Sequence, residues 1–371
     1  MTMEWYVTTI ILFLGLFVLL ALGVPVAFSL GLAGLTGIYF FIGPHSLGQI
    51  AILIVDYGTN PGFICLPLFT LMAELIALSG AANDMFSAAQ KWFNKLPGSL
   101  AVSTTVASGV FGAACGTSSG GAAAMGLVTI PELLKRGYDR RLATGTVAAG
   151  GTLSILIPPS GIMILYAIIT ENSIGKLFIA GIIPGVMVVV LFSLYIVIYA
   201  LLKPEVAPPI PGVSWKEKMI SLKPIWAITV VIIIVFGSIY AGVGTINESA
   251  ALGAFAALLI AIKRGLTWNI LTEVAVRTAK VCCFIFFIVF GAMTFGYLLA
   301  YLQIPLKLSE MIISIGISPL SFICLSSWLP LDEFFVMNRA SGACEAQKGL
   351  KGGHGRLPPI ETEGKLIQIV L

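Results

Sequence analysis

The apolar character of the chain constrains its fold more than any other feature. Hydrophobic residues make up 58% of the 371 residues and charged residues only 10%, and the mean hydropathy is +1.02. An ordinary soluble domain carries about a quarter charged residues. Apolar runs recur at about 15 to 25 residues, the length that a helix needs to cross a bilayer core of roughly 30 Å. The sequence therefore predicts an all-α polytopic membrane protein.

Many apolar runs are candidate crossings, and several are too short to cross alone. Short segments interrupted by glycine or proline are expected where the backbone unwinds around an internal site. Two amphipathic segments, 82–93 and 268–278, suit helices at the membrane interface. The candidate crossings are 5–22, 26–42, 63–78, 100–114, 142–157, 162–169, 177–202, 224–240, 250–262, 281–302 and 319–329.

Charge placement orients the chain and excludes some classes of function. Basic residues crowd KRGYDRR at 135–141 and the Pro-rich segment 203–223, so the positive-inside rule places both in the cytoplasm. No basic face with interleaved aromatics suggests a nucleic-acid partner. The two histidines, His45 and His354, build neither a zinc motif nor a Ser-His pair, so no enzyme is predicted. The six cysteines lack CxxC spacing and are expected to be packing residues.

The two sides of the Pro-rich segment resemble each other. VAFSLGLAG at 26–34 aligns with ESAALGAFA at 248–256 at an offset of 222, and LPGSL at 96–100 aligns with GISPL at 316–320 at an offset of 220. Internal repeats in a membrane protein favour a secondary transporter with its site at the repeat interface. The predicted organisation is a first membrane repeat at 1–202, a cytoplasmic linker at 203–223 and a partial second membrane repeat at 224–331.

Small polar residues interrupt the apolar sequence at 115–124, which reads CGTSSGGAAA. We predict a re-entrant hairpin over 115–134 with its tip at 116–121, since non-helical backbone survives at membrane depth only inside protein or facing water. Carbonyl and hydroxyl oxygens there suit a sodium ion, and free amides at a helix start suit an anion. The alternative is that glycine and serine only permit close helix packing.

A double proline interrupts a later apolar segment. Pro158 and Pro159 each remove a backbone donor, and the residue before a proline is pushed out of helical conformation. The helix must therefore break between Thr152 and Ser160. A broken helix beside a polar hairpin tip would free carbonyl oxygens for a cation near the bilayer midplane.

These motifs carry a family resemblance. The stretch GAACGTSSGGAAAMGLVTIPELLKRGYDRRLATGTVAAGGTLSILIPPSGIMILYA at 112–167, followed by IIPG at 182–185, resembles the large membrane subunit of tripartite ATP-independent periplasmic (TRAP) transporters, the DctM-like proteins. GTINESAALGAF at 244–255 is similar to the family's repeat start, with Ile246 where the motif usually has proline. The resemblance covers about Trp5 to Leu329.

The resemblance implies a fold and a mechanism. The fold is an elevator-type transporter with two inverted repeats and re-entrant hairpins in the bacterial inner membrane. The activity is sodium-coupled uptake of an organic anion such as a dicarboxylate. The implied partners are a small four-helix TRAP membrane subunit and a periplasmic substrate-binding protein, and no cofactor is implied beyond sodium as coupling ion.

Site residues follow from the resemblance by position. The implied sodium-binding residues are Gly116, Thr117, Ser118, Ser119, Thr152 and Pro158, and the implied substrate-binding residues are Ser119, Gly120, Gly121, Pro159 and Ser160. Glu74 lies within an apolar segment, where an acid suggests an ion role, a contact with the small subunit or an interfacial position.

The chain departs from the family at Asp332. Residues 334–356 read FFVMNRASGACEAQKGLKGGHGR, too charged for a membrane hairpin. We expect 332–371 to be a disordered tail outside the bilayer, the second repeat to be incomplete, and a chain truncated or frameshifted after about residue 331 to be inactive. Two alternatives stay open: a stand-alone hairpin-containing anion transporter, of the dicarboxylate carrier or anion efflux type, and a nontransporting membrane fragment.

Overall fold

The computed structural model describes residues 5–116, 118–208 and 212–314, and all regular secondary structure in them is helical. Short 3-10 segments and one π-helical segment connect some of the α-helices. The α-helices are α1 (Trp5–Ala21), α2 (Val26–Gly37), α3 (Leu47–Thr59), α4 (Cys65–Leu78), α5 (Ala81–Trp92), α6 (Ser99–Cys115), α7 (Ser118–Lys135), α8 (Arg140–Leu156), α9 (Gly161–Ile169), α10 (Ile174–Leu202), α11 (Trp215–Ser221), α12 (Trp226–Tyr240), α13 (Ile246–Lys263), α14 (Trp268–Tyr301) and α15 (Ile304–Ser314).

Six helical runs in the described residues are long and apolar enough to cross a membrane. The predicted all-α polytopic membrane fold is therefore confirmed. Shorter apolar helices occur at Trp5–Ala21, Val26–Ile42 and Ser99–Ala113. The six runs are Pro61–Leu78, Arg140–Ile169, Ile174–Leu202, Trp215–Tyr240, Ile246–Lys263 and Trp268–Tyr301.

Several helix bounds differ from the prediction. Helices α3 and α11 were not predicted, because polar residues such as Gln49 and Asp56 interrupt the apolar run of α3 and because α11 lies in the charged linker. The segment 268–278 is not a separate interfacial helix. It is the start of α14, since no glycine or proline between 268 and 290 ends the helix. The predicted crossing 319–329 and the predicted tail 332–371 lie outside the described residues.

The bounds predicted for the hairpin at 115–134 are wrong. Helix α7 runs unbroken from Ser118 to Lys135, so the two arms of the hairpin are α6 and α7. The turn begins at Gly116, which follows α6 with a φ of 63°. Residues 118–121 are helical and form the first turn, where the backbone amides have no intrahelical acceptors, and α7 packs closely on α8.

The described residues form two compact units that do not coincide with the sequence repeats. The first unit contains the described residues of Met1–Pro61 and Ala279–Leu331. Within it α2 packs closely on α14, since a Cβ atom at Gly34 would lie 2.9 Å from the backbone nitrogen of Phe295. Its apolar core contains Leu12, Ile38, Ile50, Leu298 and Ile304.

The second unit contains the described residues of Gly62–Thr278. Its most extensive helix pair is α4 with α13. The two helices approach closely at Gly253, where a Cβ atom would lie 2.8 Å from the Sδ of Met72. Helices α6, α7 and α8 pack on one another and form the group that carries the candidate site.

The helix order follows the offset of the sequence motifs. Adding 222 to the bounds of α5 gives 303–314, and α15 is Ile304–Ser314. Adding 222 to α2 gives 248–259, which lies inside α13, and the span from α3 to α4 becomes 269–300, which lies inside α14. The predicted repeats would thus exchange packing partners, because α2 packs on α14 and α13 packs on α4.

Both ends of α13 are fixed by polar contacts. At its start Thr245 and Glu248 form a capping box. After its end, the Arg264 guanidinium forms an ion pair with Asp84 at 2.7 Å. The same guanidinium donates to the carbonyls of Ser79 at 2.7 Å and Pro224 at 3.2 Å. Arg264 thereby joins the ends of α4, α5, α12 and α13.

Candidate cation and substrate site

The end of α6 meets the interruption between α8 and α9. Helix α8 ends at Leu156 and α9 begins at Gly161. The backbone amide of Gly161 donates to the carbonyl of Gly116 at 3.4 Å. A Cβ atom at Gly116 would lie 2.9 Å from the carbonyl oxygen of Pro159. The hairpin turn and the helix break are therefore in direct contact.

The predicted break is confirmed and confined to 157–160. Ile157 is extended, with φ of −87° and ψ of 121°. Pro158 and Pro159 are buried and joined by a cis peptide bond. Neither proline has an N–H to donate to the carbonyl four residues earlier, so the carbonyls of Ser154 and Ile155 lose their helical donors. The break thus adds backbone oxygens to the buried region beside the hairpin turn.

The side chain of Ser154 lies between α6 and α7. A Cβ atom at Gly112 of α6 would lie 2.8 Å from the Ser154 Oγ, and one at Gly121 of α7 would contact the same oxygen. One turn or more away, a Cβ atom at Gly150 would lie 2.7 Å from the Cβ of Ser108. Small residues on all three helices allow this close approach. The packing alternative for the glycines is therefore part of the structure, and it leaves the predicted site at the turn a prediction.

Buried hydroxyl groups without partners concentrate on these helices. In α6, Ser103, Thr104 and Thr105 donate to the carbonyls four residues earlier at 2.6, 2.9 and 3.2 Å. Within the described part of the chain, five other hydroxyls of the α6–α9 segment have no such partner. A buried hydroxyl without a hydrogen bond costs about 1–3 kcal/mol, so these oxygens are available as ligands. They belong to Ser99, Ser108, Thr129, Ser154 and Ser160, each at most 2% exposed.

The helix ends at the contact supply partial charges of both signs. The carboxyl ends of α6 and α8 carry partial negative charge, and the amino ends of α7 and α9 carry partial positive charge. No charged residue occurs at 99–131 or at 142–170 to compensate them. Carboxyl ends with unwound carbonyls suit a sodium ion, and amino ends suit an anionic group.

Most of the sequence-predicted residues in the hairpin lie at or near this contact. The carbonyl of Ser118 would lie 3.1 Å from a Cβ atom at Gly151 of α8, so α7 starts against α8. Gly120 and Gly121 are inside the first turn of α7 and not in the turn itself. Thr117 and the side chain of Ser119 lie outside the described part of the structure.

The two predicted hydroxyl residues of the break, Thr152 and Ser160, differ in burial. Ser160 is fully buried directly before α9. Thr152, in contrast, is an exposed residue inside α8, and its hydroxyl donates to the Ala149 carbonyl at 2.7 Å. Thr152 faces away from Ser154, which is two positions further along the helix. Its predicted sodium role stays a prediction.

Sequence reasoning missed Ser108, Gly112 and Ser154 as site-forming residues. Ser108, Gly112 and Gly116 are four residues apart, so they form one small-residue face of α6. This spacing was the available signal. Recognising these residues from the spacing would have required knowing that α8 covers that face of α6.

Glu74 does not lie at the helix break. Leu66 of α4 is the contact to Gly161, since a Cβ atom there would lie 3.7 Å from the Leu66 side chain. Glu74 is eight residues further along α4, about 12 Å at 1.5 Å per residue. It is half-buried in the electrostatic field of Arg277 and Glu273, which form an ion pair at 2.7 Å. Its role stays open.

Comparison with known proteins identifies the family. Residues 13–331 match the family described as Tripartite ATP-independent periplasmic transporter, DctM component. The chain is 34% identical over 298 residues to the C4-dicarboxylate TRAP transporter large permease protein DctM of Pseudomonas aeruginosa, covering 80% of this chain and 69% of that protein. It is 33% identical over 298 residues to the ectoine TRAP transporter large permease protein TeaC of Halomonas elongata, covering 79% and 69%.

A sialic acid relative extends the range of named substrates. The chain is 28% identical over 317 residues to the sialic acid TRAP transporter large permease protein SiaM of Vibrio cholerae, covering 84% of this chain and 73% of that protein. These relatives are transporter permeases and not enzymes. The family match ends at residue 331, the boundary that the sequence predicts. The chain therefore belongs to the DctM component family, the large permease subunits of TRAP transporters.

Proposed function

We propose that this chain is the large subunit of a sodium-coupled uptake system for an organic anion in the bacterial inner membrane. The contact between the Gly116 carbonyl and the Gly161 amide carries this proposal, because it brings the hairpin turn to the helix break. Carboxyl ends of two helices and amino ends of two others converge there. A cation and an anion can bind side by side in such a place without charged side chains.

The sodium ion would bind on the side of the carboxyl ends. Its ligands would come from the turn residues Gly116 to Ser119 and from the backbone around Pro158, with Thr152 as the remaining predicted ligand. The buried, unpartnered hydroxyls of Ser154 and Ser160 are further oxygen donors within the same contact region. Sodium ions in transporters are held by such unwound carbonyls and carboxyl ends of half-helices.

The substrate anion would bind on the side of the amino ends. Residues Ser119, Gly120 and Gly121 form the first turn of α7, and Pro159 and Ser160 precede α9. Amides in the first turn of a helix lack intrahelical acceptors and attract a carboxylate. The names of the relatives include C4-dicarboxylate, ectoine and sialic acid, so the choice among organic anions must depend on other contacts.

The proposed partners are a small four-helix membrane subunit and a periplasmic substrate-binding protein that delivers the anion. The proposed motion is that of an elevator, in which the group containing α6, α7 and α8 moves with the bound ions. The small-residue contacts at Gly112, Gly121 and Gly150 support this, because they hold the three helices together as one body. The family match favours the tripartite system over a stand-alone carrier.

Sodium binding can be tested on the purified chain without any transport. A bound ion raises the unfolding temperature, because it binds the folded state only. We expect sodium chloride to raise the unfolding temperature of the chain in detergent more than choline chloride does. Replacing both Ser118 and Ser119 by alanine should raise the sodium concentration for half of this effect by about tenfold.

A matched variant and an uptake assay complete the experiment. Thr229→Ala removes an exposed hydroxyl of α12 and should leave the sodium response unchanged. Equal responses of the double variant and the unmodified chain would contradict the sodium site. Uptake is also measured in proteoliposomes with and without the two proposed partners. Uptake that is unchanged when the binding protein is left out would instead favour the stand-alone carrier.

A further inference from the structure

Helix α11 in the linker buries two polar residues and exposes large apolar ones. Lys218 and Ser221 are buried, at 8% and 6% exposure. Trp215, Met219 and Leu222 are exposed, at 69%, 51% and 41%. A helix at an aqueous surface buries its apolar side and exposes its lysines. The outer side of α11, which also carries the exposed Lys216 and Glu217, therefore combines large apolar side chains with charges, as a helix at a membrane interface does.

The inner side of α11 is fully engaged with α5. The Lys218 ammonium donates to the Trp92 carbonyl at 3.3 Å, and the Trp92 indole donates back to the Lys218 carbonyl at 3.2 Å. The Lys218 Nζ also lies 5.9 Å from the centre of the Trp215 ring, which packs on Trp92 at 6.0 Å. Rotating α11 to bury Trp215 and Met219 would break these contacts. The contacts therefore hold Lys218 on the inner side of the helix.

Exposed apolar residues continue from α11 onto a membrane-crossing helix. Trp226, Val230 and Ile233 of α12 are 46%, 37% and 63% exposed. They follow Trp215, Met219 and Leu222 at intervals of three or four residues, with the 3-10 segment Lys223–Ile225 between α11 and α12. The run Trp215–Tyr240 has 26 residues, about 39 Å of helix against roughly 30 Å of hydrocarbon. Helix α11 is thus at the level of the lipid headgroups.

Positive charge borders this apolar face. Lys216 and Lys223 are exposed and lie on the same border, since they are seven residues apart. The neighbouring carboxylate of Glu217 accepts hydrogen bonds from the backbone and hydroxyl of Ser214 at 2.9 and 3.0 Å. The ammonium of Lys263, at the end of α13, lies 5.9 Å from the ring centre of Trp226, the first residue of α12. Tryptophan with lysine at the edge of an apolar face is typical of a membrane interface.

We infer that α11 is an interfacial anchor whose outer face lies among lipids and whose lysines 216 and 223 bind anionic phospholipid headgroups. The charge of the border matches anionic lipid, and the apolar face is followed by the exposed apolar residues of a crossing helix. The anchor fixes the linker and, through the Trp92–Lys218 contacts, the end of α5. This inference requires only that the chain is a membrane protein, and it is independent of sodium coupling and substrate.

Photochemical crosslinking of the full chain tests the environment of α11. The photoreactive residue benzoylphenylalanine is placed at Met219, on the apolar face, or at Glu217, away from that face. The chain is reconstituted in nanodiscs of phosphatidylcholine with phosphatidylglycerol, irradiated, and analysed by intact-protein mass spectrometry. We expect phospholipid adducts at position 219 to exceed those at position 217 about fivefold. A protein adduct at position 219, or equal lipid adducts at both positions, would overturn the inference.

The headgroup preference has a separate readout. The ratio of phosphatidylglycerol to phosphatidylcholine adducts at position 219 is compared between the chain that keeps both lysines and the Lys216→Gln/Lys223→Gln variant. Each lysine near an anionic surface contributes about fivefold to binding, so the ratio should fall at least about fivefold. Both lysines are exposed, so the variant is expected to fold. An unchanged ratio would refute specific binding of anionic headgroups.

Discussion

The amide of Gly161 and the carbonyl of Gly116 are 3.4 Å apart, which links the first residue of α9 to the residue that ends α6. A Cβ atom added at Gly116 would lie 2.9 Å from the carbonyl oxygen of Pro159. No side chain fits in this space. The contact between the hairpin turn and the helix break therefore depends on glycine at position 116.

Gly116→Ala should destabilise the chain and weaken its response to sodium. The φ of 63° costs an alanine about 1 kcal/mol, and the new Cβ atom would lie 2.9 Å from the Pro159 carbonyl oxygen. We expect a lower unfolding temperature in detergent. Gly145→Ala is the matched control, because a Cβ atom there meets nothing within 4 Å and alanine favours the α8 helix. Equal effects of the two substitutions would contradict the tight contact at Gly116.

Gly121→Ala should be rescued by a second substitution in α8. The added methyl group would collide with the Ser154 side chain, so we expect a loss of about 1–3 kcal/mol from overpacking. Ser154→Gly removes that side chain and should restore part of the unfolding temperature in the double variant. The measurement is a double-mutant cycle. Additive losses would show that the two residues are not in contact.

Ser160→Ala should weaken the response to sodium without lowering the stability of the sodium-free chain. The Ser160 hydroxyl is buried and has no partner among the described residues, so its removal should leave the unfolding temperature in choline chloride unchanged or slightly higher. The sodium-dependent rise should become smaller if the hydroxyl is a ligand. Ser193→Ala removes a comparable unpartnered hydroxyl from α10 and should leave the rise intact. A full sodium response in Ser160→Ala would exclude this hydroxyl from the cation site.

Arg264→Lys should lower the free energy of unfolding more than an arginine-to-lysine exchange at an exposed site does. Lysine can keep the ion pair with Asp84, but its single ammonium group cannot match the planar fork that also reaches the carbonyls of Ser79 and Pro224. We expect a loss of about 1–3 kcal/mol in unfolding experiments. Arg136→Lys alters an exposed pair with Glu132 and should change stability by at most about 0.5 kcal/mol. Comparable losses would show that the Arg264 contacts contribute little.

Much of the fold could be predicted because its causes are local. Apolar runs of crossing length, the double proline and the capping box at Thr245 each act within a few residues. Continuity of α14 was missed because the charged residues Glu273, Arg277 and Lys280 suggested an interfacial helix, whereas no residue ends the helix there. The exchange of packing partners between the predicted repeats was also missed, since it depends on contacts between distant segments.

The site could be predicted only in part for the same reason. Gly116 and the Pro158–Pro159 break are visible as residues that end helices. Ser154 is not, because its significance comes from Gly112 and Gly121 on two other helices. Thr152 was assigned by position from the family resemblance, whereas the turn of α8 directs Ser154 and not Thr152 toward the hairpin, so the sodium role of Thr152 stays a prediction. Which side of a helix faces its neighbours requires the tertiary structure.

The pairing of α4 with α13 imposes a delay during synthesis. Helix α4 ends at Leu78 and α13 begins at Ile246, about 170 residues later. At 5–20 residues per second the ribosome needs roughly 10 to 35 seconds to produce the partner. During that time the face of α4 around Met72 that later receives Gly253 lacks its partner helix. Slower translation of 79–245 would lengthen this exposure and should increase degradation of the nascent chain by membrane proteases.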